Sequence, residues 1–422
     1  WSSGLTGIIE SRPIAISSAA TVSFDWSHSN QYYTSYNDAL ALRVRKSTSP
    51  NWDTLVYLNG QYFGSTGSAN TQPGSFVTES VNLSNSYIGH DVIFQLYGAS
   101  GYGPDVFIDN FLVDSAKVLP PLNGIYTIDP NGLGSRNYAT FGAAVDDLDT
   151  LGVDGAVAFN VASGSYTEQV TLTAVTGASS ANTITFQGST TAPSIITYSP
   201  AASATNWTVR LDGADYVTLD NLTITTGGST YGRLVNYIGN VADFNLTNCH
   251  LIGATVSSTS TNYAGLYYSS PAMAEGTWHI KDNVFDSVSY AVYVYGSGYG
   301  AGSGADSVFI EDNTINATYY GFYTRYARYS KVHDNVINSL VTNGVRNYVY
   351  YPVLELDVQG NQVNDGAYGI YVYSAPPTSG ATGNMKATIS NNHFEGNYYG
   401  IRLGGSGSAT TEKFTDVTIE NN

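Results

Sequence analysis

Three carboxylates stand one residue before three recurring asparagines: Asp282, Asp312 and Asp334 precede Asn283, Asn313 and Asn335. If the repeat stacks coil on coil, they form one column with neighbours ~5 Å apart. That separation suits the carboxylate pair of a retaining glycosidase, and a column of such oxygens could also hold calcium for a lyase. A second polar column would run through Asp286, Asn316, Asn338, Asn364 and Glu395. The bland alternative is local, because Asp and Asn at turns habitually bond neighbouring backbone. The six histidines show no HxxH or HExxH spacing, and no basic column accompanies the carboxylates, although Lys281 and His333 lie near them in sequence. The structural reading outweighs the catalytic one. The chain is therefore expected not to be an enzyme, with Asp282, Asp312 and Asp334 as its only catalytic candidates.

Tyrosine carries the stronger functional signal. It outnumbers phenylalanine 35 to 15, so the aromatic content is not simply core. Two residues after a recurring small residue stand Tyr267, Tyr293, Tyr323, Arg346, Tyr371 and Arg402; four after it stand Tyr295, Arg325, Tyr348 and Tyr373. Strand alternation places both sets outward when the intervening Val292, Phe322, Ile370 and Ile401 point inward. The expected result is a flat aromatic and arginine strip, on which rings one coil apart could stack on sugars or on another rod. Stacked tyrosines could equally serve only to stiffen the sheet through cross-strand pairs.

Both patterns need elements that hold them in register. One phrase supplies these: IKDNVF, IEDNTI, VHDNVI, VQGNQV, ISNNHF and IENN, with its Asn at 283, 313, 335, 361, 392 and 422. Spacings of 30, 22, 26, 31 and 30 residues, with no helical pattern inside them, read as a solenoid. An apolar β-former stands three before each Asn and another two after, so Ile310 and Ile315 are expected inside a narrow core. Asn283, Asn313, Asn335, Asn361, Asn392 and Asn422 would then stack, each amide both donating and accepting. The phrase resembles the repeat of right-handed parallel β-helices of the pectate-lyase-like superfamily. That resemblance implies the fold, which hosts lyases, hydrolases, esterases and non-catalytic adhesins alike. No GHG or RIK of polygalacturonase type and no VDFIFG-like phrase of pectin esterases is present.

With 422 residues, 42% hydrophobic and only 12% charged, the chain has a packed core and a surface of Gly, Ser, Thr, Asn and Tyr. A net charge of −17 argues against nucleic acid and anionic membrane as partners. No apolar run is long enough to span a bilayer. The single Cys249 excludes an internal disulfide and aligns with the Asn column. The β-helix is expected to continue beyond residue 422.

Residues 1–116 read differently, as short strand-like runs at 13–17, 21–26, 39–45, 54–58, 76–83, 91–97 and 106–113 with Gly, Ser and Asn turns between them. This is a β-sandwich or jelly-roll pattern. The phrases VSFDW, DALALRV, IGHDVIFQLYG and DVFIDNFLV resemble jelly-roll modules of the MAM and choice-of-anchor type, which implies a binding or spacer module. Asp25, Asp38, Asp105 and Asp109 could supply oxygen to a structural calcium; no other cofactor is expected. Residues 117–124 form a linker around Pro120 and Pro121. The β-helix then occupies 125–422, opened by a capping helix at about 140–151 with Thr140 as cap. The run from Asn123 to about Phe186 resembles a segment of Bacteroidota surface proteins exported by type IX secretion. In that lineage Asp-Ser/Thr triplets are O-glycosylated, which would mark Thr54, Ser115, Thr150, Ser287 and Ser307.

The expected fold is all-β: a jelly roll followed by a right-handed parallel β-helix. The expected function is a secreted or cell-surface adhesin that binds glycan or a surface protein, with no membrane insertion. The alternatives are a subunit that self-associates head to tail into extracellular fibres, and a polysaccharide lyase or glycoside hydrolase using the Asp column.

Overall fold

The computed structural model describes residues 6–28, 38–59, 76–100, 106–116, 120–239, 243–254, 257–269, 274–296, 305–342, 344–350, 354–374, 386–405 and 416–422. The fold is all-β, with one α-helix among the described residues, and forms two compact units, Trp1–Pro120 and Pro121–Asn422. In the first unit, seven antiparallel strands make one sheet. Its long strand Ile14–His28 changes partners along its length: Ile14 to Ile16 pair with residues 90–92, and from Thr21 onward Val77–Asn82 lies on one side and Val106–Ala116 on the other. The change curls the sheet around Val22, Phe24, Trp26, Leu40, Leu42, Val44, Val92 and Phe94.

The second unit is a parallel β-helix. One face is a twelve-stranded sheet running from Leu122–Ile128 through Val153–Val161 and Ile184–Gly188 to Asp416–Glu420. The other two faces of each coil merge into a sixteen-stranded sheet, because Val284–Tyr295 and Thr314–Arg325 each run unbroken round the corner between them. Burial alternates along the strands, so Ile280, Ile310, Val332, Val358 and Ile389 enter the core from the first sheet, and Phe285, Ile315, Ile337 and Val363 from the second. The helix Phe141–Leu151 packs Phe141, Ala144, Val145 and Leu148 into the same core. Thr140 Oγ1 accepts from the Ala143 N–H, and the Glu168 carboxylate accepts from the N–H groups of Phe141 and Gly142. Both satisfy donors that the first turn leaves orphaned, and the negative charge suits that end of the helix dipole.

The recurring asparagines form a continuous ladder, buried from Asn283 to Asn392. Asn313 Oδ1 accepts from the Asn283 backbone N–H at 2.9 Å and from its Nδ2 at 3.0 Å. Asn313 Nδ2 donates to Ile280 O at 2.8 Å and to Asn335 Oδ1 at 2.9 Å. The scheme repeats through Asn335, Asn361 and Asn392 to Asn422. Cys249 holds the preceding rung. Its N–H donates to Asn283 Oδ1, its Sγ lies 3.4 Å from Leu219 O, and burial pushes its thiol up to about 12.

One residue before each rung the backbone turns the corner in the left-handed region. Asn221, Asn248, Asp282, Asp312, Asp334, Asn391 and Asn421 have φ between 51° and 57°. Side chains other than Asn and Asp adopt this conformation only with strain. Gly360 takes the same position with φ 70°, and a Cβ there would meet Asp334 Oδ1 at 2.0 Å.

Two substitutions separate the ladder from the corner. Asn335→Ala leaves buried donors and acceptors on three coils unmatched and should destabilise the β-helix by about 3 kcal/mol. Asp312→Asn should change stability by no more than about 0.5 kcal/mol, whereas Asp312→Val should cost about 1–2 kcal/mol in the left-handed conformation. Urea denaturation followed by circular dichroism measures all three. An Asn335→Ala variant as stable as the parent would show that the ladder does not hold the coils.

Candidate functional site

Strand register assembles the tyrosines and arginines into one ribbon on the last face of the coil. Its central column is Tyr267, Tyr293, Tyr323, Tyr348, Tyr371 and Arg402. Beside it run Tyr295, Arg325, Tyr350 and Tyr373 on one flank, and Tyr290, Tyr320, Arg346, Tyr368 and Tyr399 on the other. One coil differs from the sequence expectation by two residues: Arg346 falls in the flanking column and Tyr348 in the central one. The cause is Asn347, fully buried opposite Phe322, whose Nδ2 donates to Gly369 O at 3.0 Å. One-residue register shifts against both neighbouring strands accommodate this polar core residue, and Arg346 and Tyr348 flank it on the outward side.

The rings do not lie flat. Tyr267 and Tyr293 have centroids 5.1 Å apart with planes 6° from parallel, Tyr293 and Tyr323 5.1 Å and 12°, and Tyr350 and Tyr373 4.5 Å and 7°. Parallel rings this close cannot sit side by side in one plane, so they are offset stacks. In these stacks each ring face is covered by the next coil's ring, whereas Tyr348 is tilted 33° from Tyr323 and stands edge-on, at 84°, to Tyr371. Where the rings stack, the ribbon presents ring edges and phenol hydroxyls rather than faces. Burial, together with neighbouring tyrosines, holds the phenols of Tyr290, Tyr293, Tyr320 and Tyr323 above the ordinary value. Tyr348 is pushed up to about 12 by burial and Tyr368, with Arg346, Arg402 and a second tyrosine as smaller influences. These hydroxyls stay protonated and able to donate.

Arginines lie against the same rings. Arg233 sits 3.5 Å over the Tyr267 centroid, Arg325 4.5 Å over Tyr295, Arg346 4.7 Å over Tyr319 and Arg402 4.7 Å over Tyr371.

The Asp column reads as structure. Asp282, Asp312 and Asp334 are exposed corner residues whose type the left-handed backbone explains, and Lys281 Nζ lies 3.3 Å from Asp312 Oδ2. The second polar column forms a side-chain amide ladder, with Asn338 Nδ2 donating to Asn316 Oδ1 at 2.9 Å and Asn364 Nδ2 to Asn338 Oδ1 at 2.8 Å.

A different titratable group lies on the twelve-stranded sheet. His333 Nε2 is 3.0 Å from Asp357 Oδ2, and its Nδ1 is 3.9 Å from Glu311 Oε1. The Nε2 contact falls within ion-pair distance but lacks hydrogen-bond alignment, and Asp357 Oδ1 is buried without a hydrogen-bond partner. An imidazole between two half-buried carboxylates is a general acid–base constellation. Sequence reasoning passed over it, yet the ladder register contains it: Glu311 and His333 stand two before their rungs, and Asp357 stands four before Asn361.

In the first unit, Asp25 and Asp109 face each other across paired strands. Asp25 accepts from Asn110 Nδ2 at 2.7 Å and Thr78 Oγ1 at 2.5 Å, bonds that hold its carboxyl below the ordinary value. Asp38 is half-buried, Asp109 accepts from the Asn110 N–H, and Asp105 lies outside the described residues. Of the glycosylation triplets, Thr54 and Thr150 are exposed, Ser287 and Ser307 are half-buried, and Ser115 lies on the strand Val106–Ala116.

The family described as "Periplasmic copper-binding protein (NosD)" matches residues 235–422. Among curated proteins none matches the chain. The Aspergillus niger pectin methylesterase structure is 18% identical over 69% of this chain and 92% of its own, with a TM-score of 0.38. The catalytic domain of a GH87 α-1,3-glucanase is 10% identical over 97% and 90%, with a TM-score of 0.34, and the Agl-KA catalytic domain 14% over 100% and 75%, with a TM-score of 0.33. These are likenesses of fold. Against the expectation that the chain is not an enzyme stand the descriptions of these structures, a pectin methylesterase and glucanase catalytic domains, which corrects it.

A copper ion does not fit the residues described. Cys249 is buried with a raised thiol pKa, His279 packs its ring against Phe309, and among the described residues no three His, Cys, Asp or Glu side chains are placed to hold a metal.

The stacked phenols predict an alkaline transition. A phenol whose folded pKa exceeds the ordinary 10.0 adds stability that is complete below pH 10 and is lost as pH rises towards about 12, the folded value for Tyr348. Tyrosinate absorbance should lag that of the urea-unfolded chain across this window, and the urea midpoint should fall. A midpoint as high at pH 12 as at neutral pH would refute this.

Proposed function

We propose that the chain is an extracytoplasmic carbohydrate-active β-helix that holds a linear polysaccharide along its tyrosine–arginine ribbon and carries a separate acid–base site, Glu311–His333–Asp357, on its twelve-stranded face. The observation that carries this reading is the ribbon, a continuous row of phenol hydroxyls and guanidinium groups from Tyr267 to Arg402. Its coil spacing of ~4.8 Å is the length scale on which rings repeat in an extended glycan, so one row of donors meets one sugar per coil. The Glu311–His333–Asp357 group supplies the titratable side chains. Its imidazole, set between the Glu311 and Asp357 carboxylates, can serve as general acid or base there. The periplasmic description of the matched family supports a place outside the cytoplasm. On this reading the first unit is a jelly-roll module of the choice-of-anchor kind, and type IX secretion is the export route.

The test records retention and release of reducing or unsaturated ends from the same tubes, on a panel of neutral and acidic polysaccharides with and without calcium. The intact chain should be retained and release ends. His333→Gln should lower release at least ~100-fold with retention unchanged. The triple variant Tyr293→Phe, Tyr323→Phe and Tyr348→Phe keeps the stacks and removes the hydroxyls, so it should lose retention while melting like the parent. Ends never released by the intact chain would sink the cleavage step, and undiminished retention in the triple variant would sink the ribbon.

A further inference from the structure

We infer that the ribbon selects an acidic polysaccharide, carboxylated or sulfated, at a step built from Arg346 and Arg402. This rests on the glycan reading above and names its substrate class. The chain carries a net charge of −17, so an arginine would ordinarily find a carboxylate. Neither Arg346 nor Arg402 has an ion pair among the described residues. Arg346 Nη1 donates to Gly344 O at 3.0 Å and Arg402 Nη1 to the Tyr368 hydroxyl at 2.8 Å, and each guanidinium keeps further N–H donors. Strand register sets them two coils apart in adjacent columns of the ribbon. Arg346 is the neighbour of Tyr368, Arg402 that of Tyr371, and both charges act on the Tyr348 hydroxyl. Two cations, neither ion-paired with a carboxylate among the described residues, and protonated phenols form a complement to carboxylate or sulfate groups on a hydroxyl-rich chain.

Stacked edges explain why the anion sits on a sugar polymer. At this step Tyr368 is stacked on Tyr399 with planes 9° apart and Arg402 lies 4.7 Å over Tyr371, so these faces offer no platform for nucleobases, which single-strand binders stack on open aromatics, whereas hydroxyl rows suit polyols. The overall negative charge also repels a polymer as densely charged as DNA.

Affinity electrophoresis in gels containing a polyuronate, a sulfated glycosaminoglycan or neutral dextran tests the assignment, with single-stranded DNA and poly-glutamate as competitors. Retardation should be at least ~10-fold stronger in one of the acidic gels than in dextran and should weaken as salt shortens the screening length. The polyuronate and glycosaminoglycan gels tell carboxylate from sulfate. Arg402→Gln should lower retardation ~10-fold, the double variant with Arg346→Gln should abolish it, and Arg402→Lys should restore the salt-dependent part. Equal retardation in dextran, an unchanged double variant with the parent's melting curve, or full competition by DNA or poly-glutamate overturns the proposal. The two readings fail separately. Acidic retention without end release leaves this site standing and removes the cleavage step, whereas end release from neutral glycan without acidic retention does the reverse.

Discussion

A solenoid coil has no neighbour in sequence to tell it where to stop, so something must fix the length and phase of every turn. In this protein a buried amide and the left-handed residue before it do so together. The corner conformation admits Asn, Asp or Gly with little strain. The amide that follows is satisfied only if the next coil presents another amide at the same height, since an unpaired polar group at that depth costs about 1–3 kcal/mol. Loops between strands can therefore vary, as the 22- to 31-residue spacings do, while the strands stay in phase. The apolar columns supply most of the burial energy but are phase-tolerant, because Ile, Val and Phe replace one another along them.

With phase fixed, each face becomes a printed surface whose chemistry depends on which residue type repeats. The twelve-stranded face carries mixed signs, and these meet across strands: Lys386 with Glu355, Lys281 with Asp312, His333 with Asp357. Exposed pairs of this kind add little stability. The tyrosine face is different. Its cations lie on rings, and its rings lie on one another, so this surface is rigid before any partner arrives. Preorganisation lowers the ordering entropy that binding must overcome.

Much of this was legible in the sequence, and the failures have physical causes. The ladder phrase identified the strands, the inward residues and the outward tyrosines, because period and alternation encode all three. Period says nothing about the plane of a ring, and so it left open whether Tyr267 stacks on Tyr293, as it does, or offers its face outward. The coil of Arg346 was placed two residues out because Asn347, a polar residue, occupies a core position that pattern reading assigns to apolar side chains. The Asp column could be weighed as structural over catalytic but not decided, because φ is invisible in a sequence, and a conformational demand and a chemical one select the same residue. The Glu311–His333–Asp357 group went unseen because its members belong to three strands and two columns, with no shared motif.

The ladder also has a direction. At every rung the earlier residue donates, through both its backbone N–H and its side-chain amide, to the oxygen of the later one. The amide dipoles therefore point the same way along the axis, and chains of such bonds polarise one another. Cys249 donates into this series from one side, and Leu222 holds the equivalent position a coil earlier, inert. The rod is thus a vector: a duplicated coil can be spliced in wherever an amide follows a corner, but only in the parental orientation, and only on the downstream side of the sulfur.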